Sequence, residues 1–72
     1  MAKTAIRIKF GKRIQQIRKD KGFTQESLAD SIGIHRTYIG IIERGEQSIS
    51  LDNVYRISKA LKISLCDLFE NL

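Results

Sequence analysis

The sequence predicts an all-α fold of five short helices, the second and third forming a helix-turn-helix. Three observations carry this. Apolar residues recur three and four positions apart in five separate stretches. Thr24, Ser50 and Ser64 stand directly before three of them, where an N-cap side chain is wanted. Gly22, Gly33 and Gly45 close the first three.

Helix 1 is expected from about Ile6 to Lys21. Its stripe is Ile6, Phe10, Ile14 and Ile17. Ile8 lies off that stripe, and the alternation Ile6, Ile8, Phe10 also fits a strand, so the first turn is open between the two. Gly11 costs about 1 kcal/mol relative to alanine, which one glycine in a helix of this length can bear. Lys19 and Lys21 meet the negative end of the helix dipole before Gly22.

Helix 2 is expected from Thr24 to about Ile32. Phe23 and Leu28 are spaced for a hydrophobic staple, and Glu26 suits the first turn. Ser27 stands where a capping box calls for Glu or Gln, so the box is expected to be incomplete. Leu28, Ala29 and Ile32 face inward, and the small Ala29 allows a close crossing. Helix 3 is expected from near His35 to Gly45. Ile39 and Ile42 point inward and Ile34 closes the turn, leaving Arg36, Thr37, Gly40, Ile41 and Arg44 on the outer side. Gly40 either lets the backbone approach a ligand or only avoids a clash.

A loop covers Glu46 to Ile49. Helix 4 follows Ser50, with Val54, Ile57, Ala60 and Leu61 as its stripe, and ends near Lys62. Ser64 caps a last helix with Asp67 at its third position. Leu65, Leu68, Phe69 and Leu72 are its apolar residues, more than one face of a small core needs. With Ile49 and Tyr55 they are expected to form a dimer interface. The competing reading places all of them in the core.

A helix-turn-helix lays its second helix in the DNA major groove. The outer face of helix 3 suits that use. Arginine bridges guanine O6 and N7, and threonine or isoleucine meets a thymine methyl. Charge is compatible. Residues 1–24 carry eight basic side chains against Asp20, a net +7, and the remainder carries −2, giving the overall +5. At 72 residues one domain is expected, of marginal stability unless it associates.

Other chemistries are poorly served. The lone Cys66 has no partner for a disulfide and no base nearby in sequence, and His35 is the single histidine. No metal, no cofactor and no catalysis are expected. A reducing, cytoplasmic setting follows. No apolar run approaches the ~18 residues of a membrane span, and the N-terminus lacks the apolar core of a signal peptide.

Four motifs in order, G-K-R-I-Q-Q-I-R at 11–18, T-Q-E-S-L-A at 24–29, Y-I-G-I-I-E-R-G at 38–45 and S-L-D-N-V-Y-R-I-S-K-A-L at 50–61, resemble the phage-repressor/Cro-like helix-turn-helix family. This is the lambda-repressor-like, xenobiotic-response-element class. The resemblance covers Phe10 to Phe69 and implies a five-helix fold and a homodimer on a palindromic operator. It gives Gln25 a contact to the DNA backbone. Arg36, Thr37 and Tyr38 take the base-reading and backbone-contacting start of the recognition helix. Ile41 joins the readers; Arg44 and Ser48, with Lys12 or Arg13, join the backbone contacts. Arg18 and Glu43 become a pair tying helix 1 to helix 3.

Two positions depart from the pattern. His35 replaces the usual Ser or Thr cap of helix 3, and serves as a cap or faces phosphate. Lys62 stands where glycine commonly follows helix 4. The H-R-T-Y-I start of helix 3 and the E-R-G-E-Q-S-I-S-L-D-N loop resemble, more narrowly, the controller proteins of restriction–modification systems. That subgroup binds tandem sites, activates the endonuclease gene and then represses its own, which adds a second dimer and RNA polymerase as partners. A small prophage or plasmid repressor and an antitoxin-like interaction module are the alternatives.

Overall fold

In the computed structural model, which describes residues 3–72, five helices follow one another: α1 (Ala5–Asp20), α2 (Gln25–Ile32), α3 (Arg36–Glu43), α4 (Leu51–Leu61) and α5 (Leu65–Leu68). The first turn of α1 is helical, which settles the Ile6–Phe10 ambiguity. Among the described residues there is no strand. No helix there is long and apolar enough to cross a membrane.

Each helix begins on a side-chain cap. Thr4, Thr24, His35, Ser50 and Ser64 accept a backbone N–H from the first turn that follows. At α2 the capping box is complete, contrary to expectation. Thr24 Oγ1 accepts from Ser27 N, and Ser27 Oγ accepts in return from Thr24 N, both at 2.9 Å. A serine hydroxyl is long enough to do what Glu or Gln usually does there. Lys62 ends α4 in the left-handed region, at φ 56°. The turn has the geometry that glycine would favour, and a lysine bears the strain.

The core is made by Phe10, Ile14 and Ile17 of α1, Leu28 and Ala29 of α2, Ile39 and Ile42 of α3, Val54, Ile57 and Leu61 of α4, and Leu68. The last was expected at a dimer interface, and the structure corrects this. Leu68 is wholly buried within one chain, because the single turn of α5 turns it into the core cluster. Ile6, expected inward, is instead half exposed. α5 is also shorter than expected, and beyond it Phe69 stacks on Phe10 with ring centroids 5.2 Å apart. Arg13 Nη2 donates to the Asp67 carbonyl at 2.6 Å, fastening α5 to α1.

α3 packs against both α1 and α2. The crossing with α1 is very close. A Cβ built on Gly11 would stand 2.5 Å from the carbonyl oxygen of Glu43, and nearer still to that of Ile42. Gly11 is therefore required by the crossing, and is more than a tolerated loss of helix propensity. Its partner carbonyls lie on a distant helix, so no local pattern announces them. Gly45 makes a similar approach to the backbone of Ile8.

Candidate nucleic-acid interface

The second helix of the motif presents two different edges. On one, Ile39 and Ile42 are buried to 2% exposure or less. On the other, Arg36 and Thr37 stand exposed on the first turn and Ile41 is half-buried. His35 precedes them. Its Nδ1 accepts the Thr37 N–H at 3.0 Å, so the ring is folded onto the start of its own helix as a cap. The neutral ring then carries its proton on Nε2. Arg36 is 3.9 Å from Glu26 across open solvent, a pair that restrains it weakly. Tyr38 is half-buried and packs on the core with its ring.

The back of α3 is held by charge. Arg18 Nε donates to Glu43 Oε2 at 2.6 Å, and Arg18 Nη2 to Oε1 at 3.1 Å. Both residues are 7% exposed. Arg18 also donates to the Phe23 carbonyl, and Gln25 Nε2 donates to Glu43 Oε1 at 2.9 Å. One carboxylate therefore gathers α1, the start of α2 and the end of α3. Every formal charge in this buried pair is matched and hydrogen-bonded, the condition under which burial of ions is tolerated. Gln25, expected to face the DNA backbone, has its amide N–H committed to that cluster.

Gly40 was expected on the outer face. It is buried there, beneath two side chains. A Cβ at Gly40 would lie 3.0 Å from Arg44 Nη1 and 3.7 Å from Gln25 Oε1. Glycine makes the floor on which these two rest, which favours the space-making reading. Arg44 forks onto Glu46, Nε to Oε2 at 2.9 Å and Nη2 to Oε1 at 3.2 Å. The hydrogen bond, ahead of the opposed charge, raises the Arg44 guanidinium above its ordinary value and holds the Glu46 carboxyl below the usual carboxylate range. Ser48 is exposed in the loop after α3, where it lines a hollow of about 270 Å³ with Arg7, Glu46 and Gln47.

The basic N-terminal third is less available than its charge implies. Arg18 is buried against Glu43, and Arg13 is turned to α5 and half-buried. Of the two basic residues expected at the DNA backbone there, Arg13 spends Nη2 on the Asp67 carbonyl, while Lys12 stays exposed.

The apolar surface gathers where α1, the loop after α3, the start of α4 and Phe69 meet. Ile6, Leu51 and Phe69 are large exposed hydrophobics around a cavity of about 520 Å³, whose wall includes Ile49 and Val54. Leu65 is also exposed, whereas Ile49 and Leu72 are half-buried against the core. Tyr55 is exposed one turn further along α4. It lines a separate hollow with Ser31, Ile32 and Lys59, whose ammonium lies 5.3 Å from its ring centre. Sequence reasoning missed Leu51 and Glu46. A leucine lying off the Val54–Ile57–Leu61 stripe was the available signal for the first. For the second there was none, since an acidic residue in a loop is unremarkable.

A recognition helix fixed from behind, with its front edge exposed and a capped helix leading into it, defines a helix-turn-helix protein. The chain belongs to the helix-turn-helix family, whose model matches residues 14–68. Within it the chain belongs with the control proteins of restriction–modification systems. It is 48% identical over 66 residues to control protein C.BamHI of Bacillus amyloliquefaciens, covering 90% of this chain and 82% of that protein. It is 41% identical over 68 residues to control protein C.MunI of a Mycoplasma species, covering 93% and 92%. The crystal structure of the restriction–modification controller protein C.AhdI from Aeromonas hydrophila superposes with a TM-score of 0.88 at 41% identity, over 92% of this chain and 100% of that one. The all-α expectation and the narrower resemblance to controller proteins both hold.

Proposed function

We propose that two copies of this chain bind a palindromic operator and regulate transcription by binding alone, without catalysis. The observation that carries the reading is the exposed first turn of α3, with Arg36 and Thr37 outward and Ile39 and Ile42 locked inward. Arg36, Thr37 and Ile41 read base edges. Gln25, His35, Tyr38, Arg44 and Ser48 set the register on the sugar–phosphate backbone. An operator of this kind presents successive major grooves about 34 Å apart, so the two recognition helices must be held at that distance.

The apolar surface on the α4–α5 side supports an isologous dimer, in which one patch meets its own copy. Ile49, Leu65, Phe69 and Leu72 form it, with Ile6 and Leu51 added and Tyr55 at its rim. Controller relatives support the biological setting: a cytoplasmic regulator that activates an endonuclease gene and controls its own. Two dimers on tandem sites and contact with RNA polymerase complete that reading.

Random-site selection on duplex DNA, followed by footprinting, is the test. The selected sequence should be a palindrome with half-sites one helical turn apart. Arg36→Ala should lose about 1–3 kcal/mol of discrimination at one position per half-site while non-specific binding persists. An unchanged base preference in that variant would remove Arg36 from the reading set.

A further inference from the structure

Two carboxylates, Glu43 and Glu46, act on the Arg44 guanidinium, and they differ in what they have left to offer it. Both Glu43 oxygens are engaged, Oε2 by Arg18 and Oε1 by Arg18 and Gln25. Glu46 instead gives both of its oxygens to Arg44, in a fork at 2.9 and 3.2 Å. This second pair lies in the open, with the Arg44 side chain 56% exposed and that of Glu46 41% exposed. It sits over the bare floor of Gly40, beside Gln25.

We propose that Glu46 is an attenuator of DNA affinity. It is an internal anion that occupies Arg44 in the free protein and is displaced when Arg44 meets a backbone phosphate. The inference rests on the reading of Arg44 as a backbone contact. Phosphate and carboxylate present the same planar pair of acceptors to a guanidinium fork, so they compete for the same N–H groups. The exchange is open to Glu46 and closed to Glu43. Stripping a partner from Glu43 would leave a buried charge uncompensated, whereas an exposed pair is worth little and is easily traded. Lys3 also acts on the Glu46 carboxylate, so a cation is at hand when Arg44 leaves. Since the contact that Arg44 gains is to phosphate, the attenuation applies equally to every DNA sequence.

The test is Glu46→Gln in the full chain, titrated at several salt concentrations onto the selected operator and onto an unrelated duplex. Both should bind more tightly by the same factor, about two- to fivefold, the worth of the one exposed ion pair that no longer has to be broken. The plot of log affinity against log salt should steepen by up to about 0.9, as one carboxylate that no longer offsets the Arg44 charge implies. Glu46→Ala should move binding in the same direction. In an Arg44→Gln background the gain should disappear. Unchanged or weaker binding by Glu46→Gln with an unaltered thermal melt overturns the proposal. So does a gain confined to one duplex, or one that survives Arg44→Gln. If the wild-type chain selects no DNA sequence at all, the operator reading and this inference fall together; if it selects one and Glu46→Gln gains nothing, only this inference falls.

Discussion

Where α1 crosses α3, the backbones approach so closely that Gly11 has no room for a Cβ, and the Arg18–Glu43 pair is buried beside the crossing. At the α4–α5 end the packing is looser. α5 is a single turn, and Leu51, Leu65 and Phe69 remain 40% exposed or more. A small domain cannot bury everything. This one spends its tight packing behind the recognition helix and leaves apolar surface uncovered where a second subunit could cover it. The first region should therefore respond to substitution as a folded core does, and the second as an interface does.

The largest effect is expected for Arg18→Ala. It would strand the Glu43 carboxylate in the core and cost about 3–5 kcal/mol. Chemical or thermal denaturation followed by circular dichroism would measure it. A cost below about 1 kcal/mol would show that the crossing is not held by that pair. Replacing both partners, Arg18→Met with Glu43→Leu, should recover much of the loss, because two apolar groups leave no charge behind.

Gly11→Ala comes next. The added methyl meets two backbone carbonyls, which cannot rotate aside as a side chain would. The loss should fall at the upper end of the roughly 1–3 kcal/mol typical of overpacking. An alanine that stabilised the chain through its better helix propensity would mean that α1 and α3 stand further apart than described.

The smallest effect on folding is expected for Leu51→Lys, within about 0.5 kcal/mol, since the side chain is 77% exposed in one chain. Its effect on association should be large. Sedimentation should show monomers, with weakened operator binding. A dimer of wild-type strength would move the interface away from this patch and leave the α4–α5 end as ordinary surface.

Much of this architecture is legible in local sequence, because helix caps and apolar stripes are local. Thr24, Ser50 and Ser64 start their helices as their side-chain chemistry dictates, and the inward Ile39 and Ile42 follow from spacing alone. What escaped depends on partners far along the chain or on small differences in geometry. The need for Gly11 is set by carbonyls on α3. Gly40 looks outward by spacing, yet it is covered by Gln25 and Arg44. Leu65, Leu68 and Phe69 share one apolar pattern, and only the path of a one-turn helix decides that Leu68 is core while its neighbours stay exposed. Ser27 completes a capping box by a reach that residue identity alone did not reveal.

The fastening of α5 to α1 has a consequence for the order in which the protein is born. Arg13 waits for the Asp67 carbonyl, and Phe10 waits for Phe69, so these contacts close only after residues 64–69 have been synthesised. The helix-turn-helix, by contrast, is complete in sequence once Gly45 has been added. During translation the reading segment is therefore made before the surface proposed to pair it with a second copy, although its packing still waits for α4. For a regulator that acts through paired copies, the interval between translation and regulation then includes the docking of the last helix as well as the accumulation of chains.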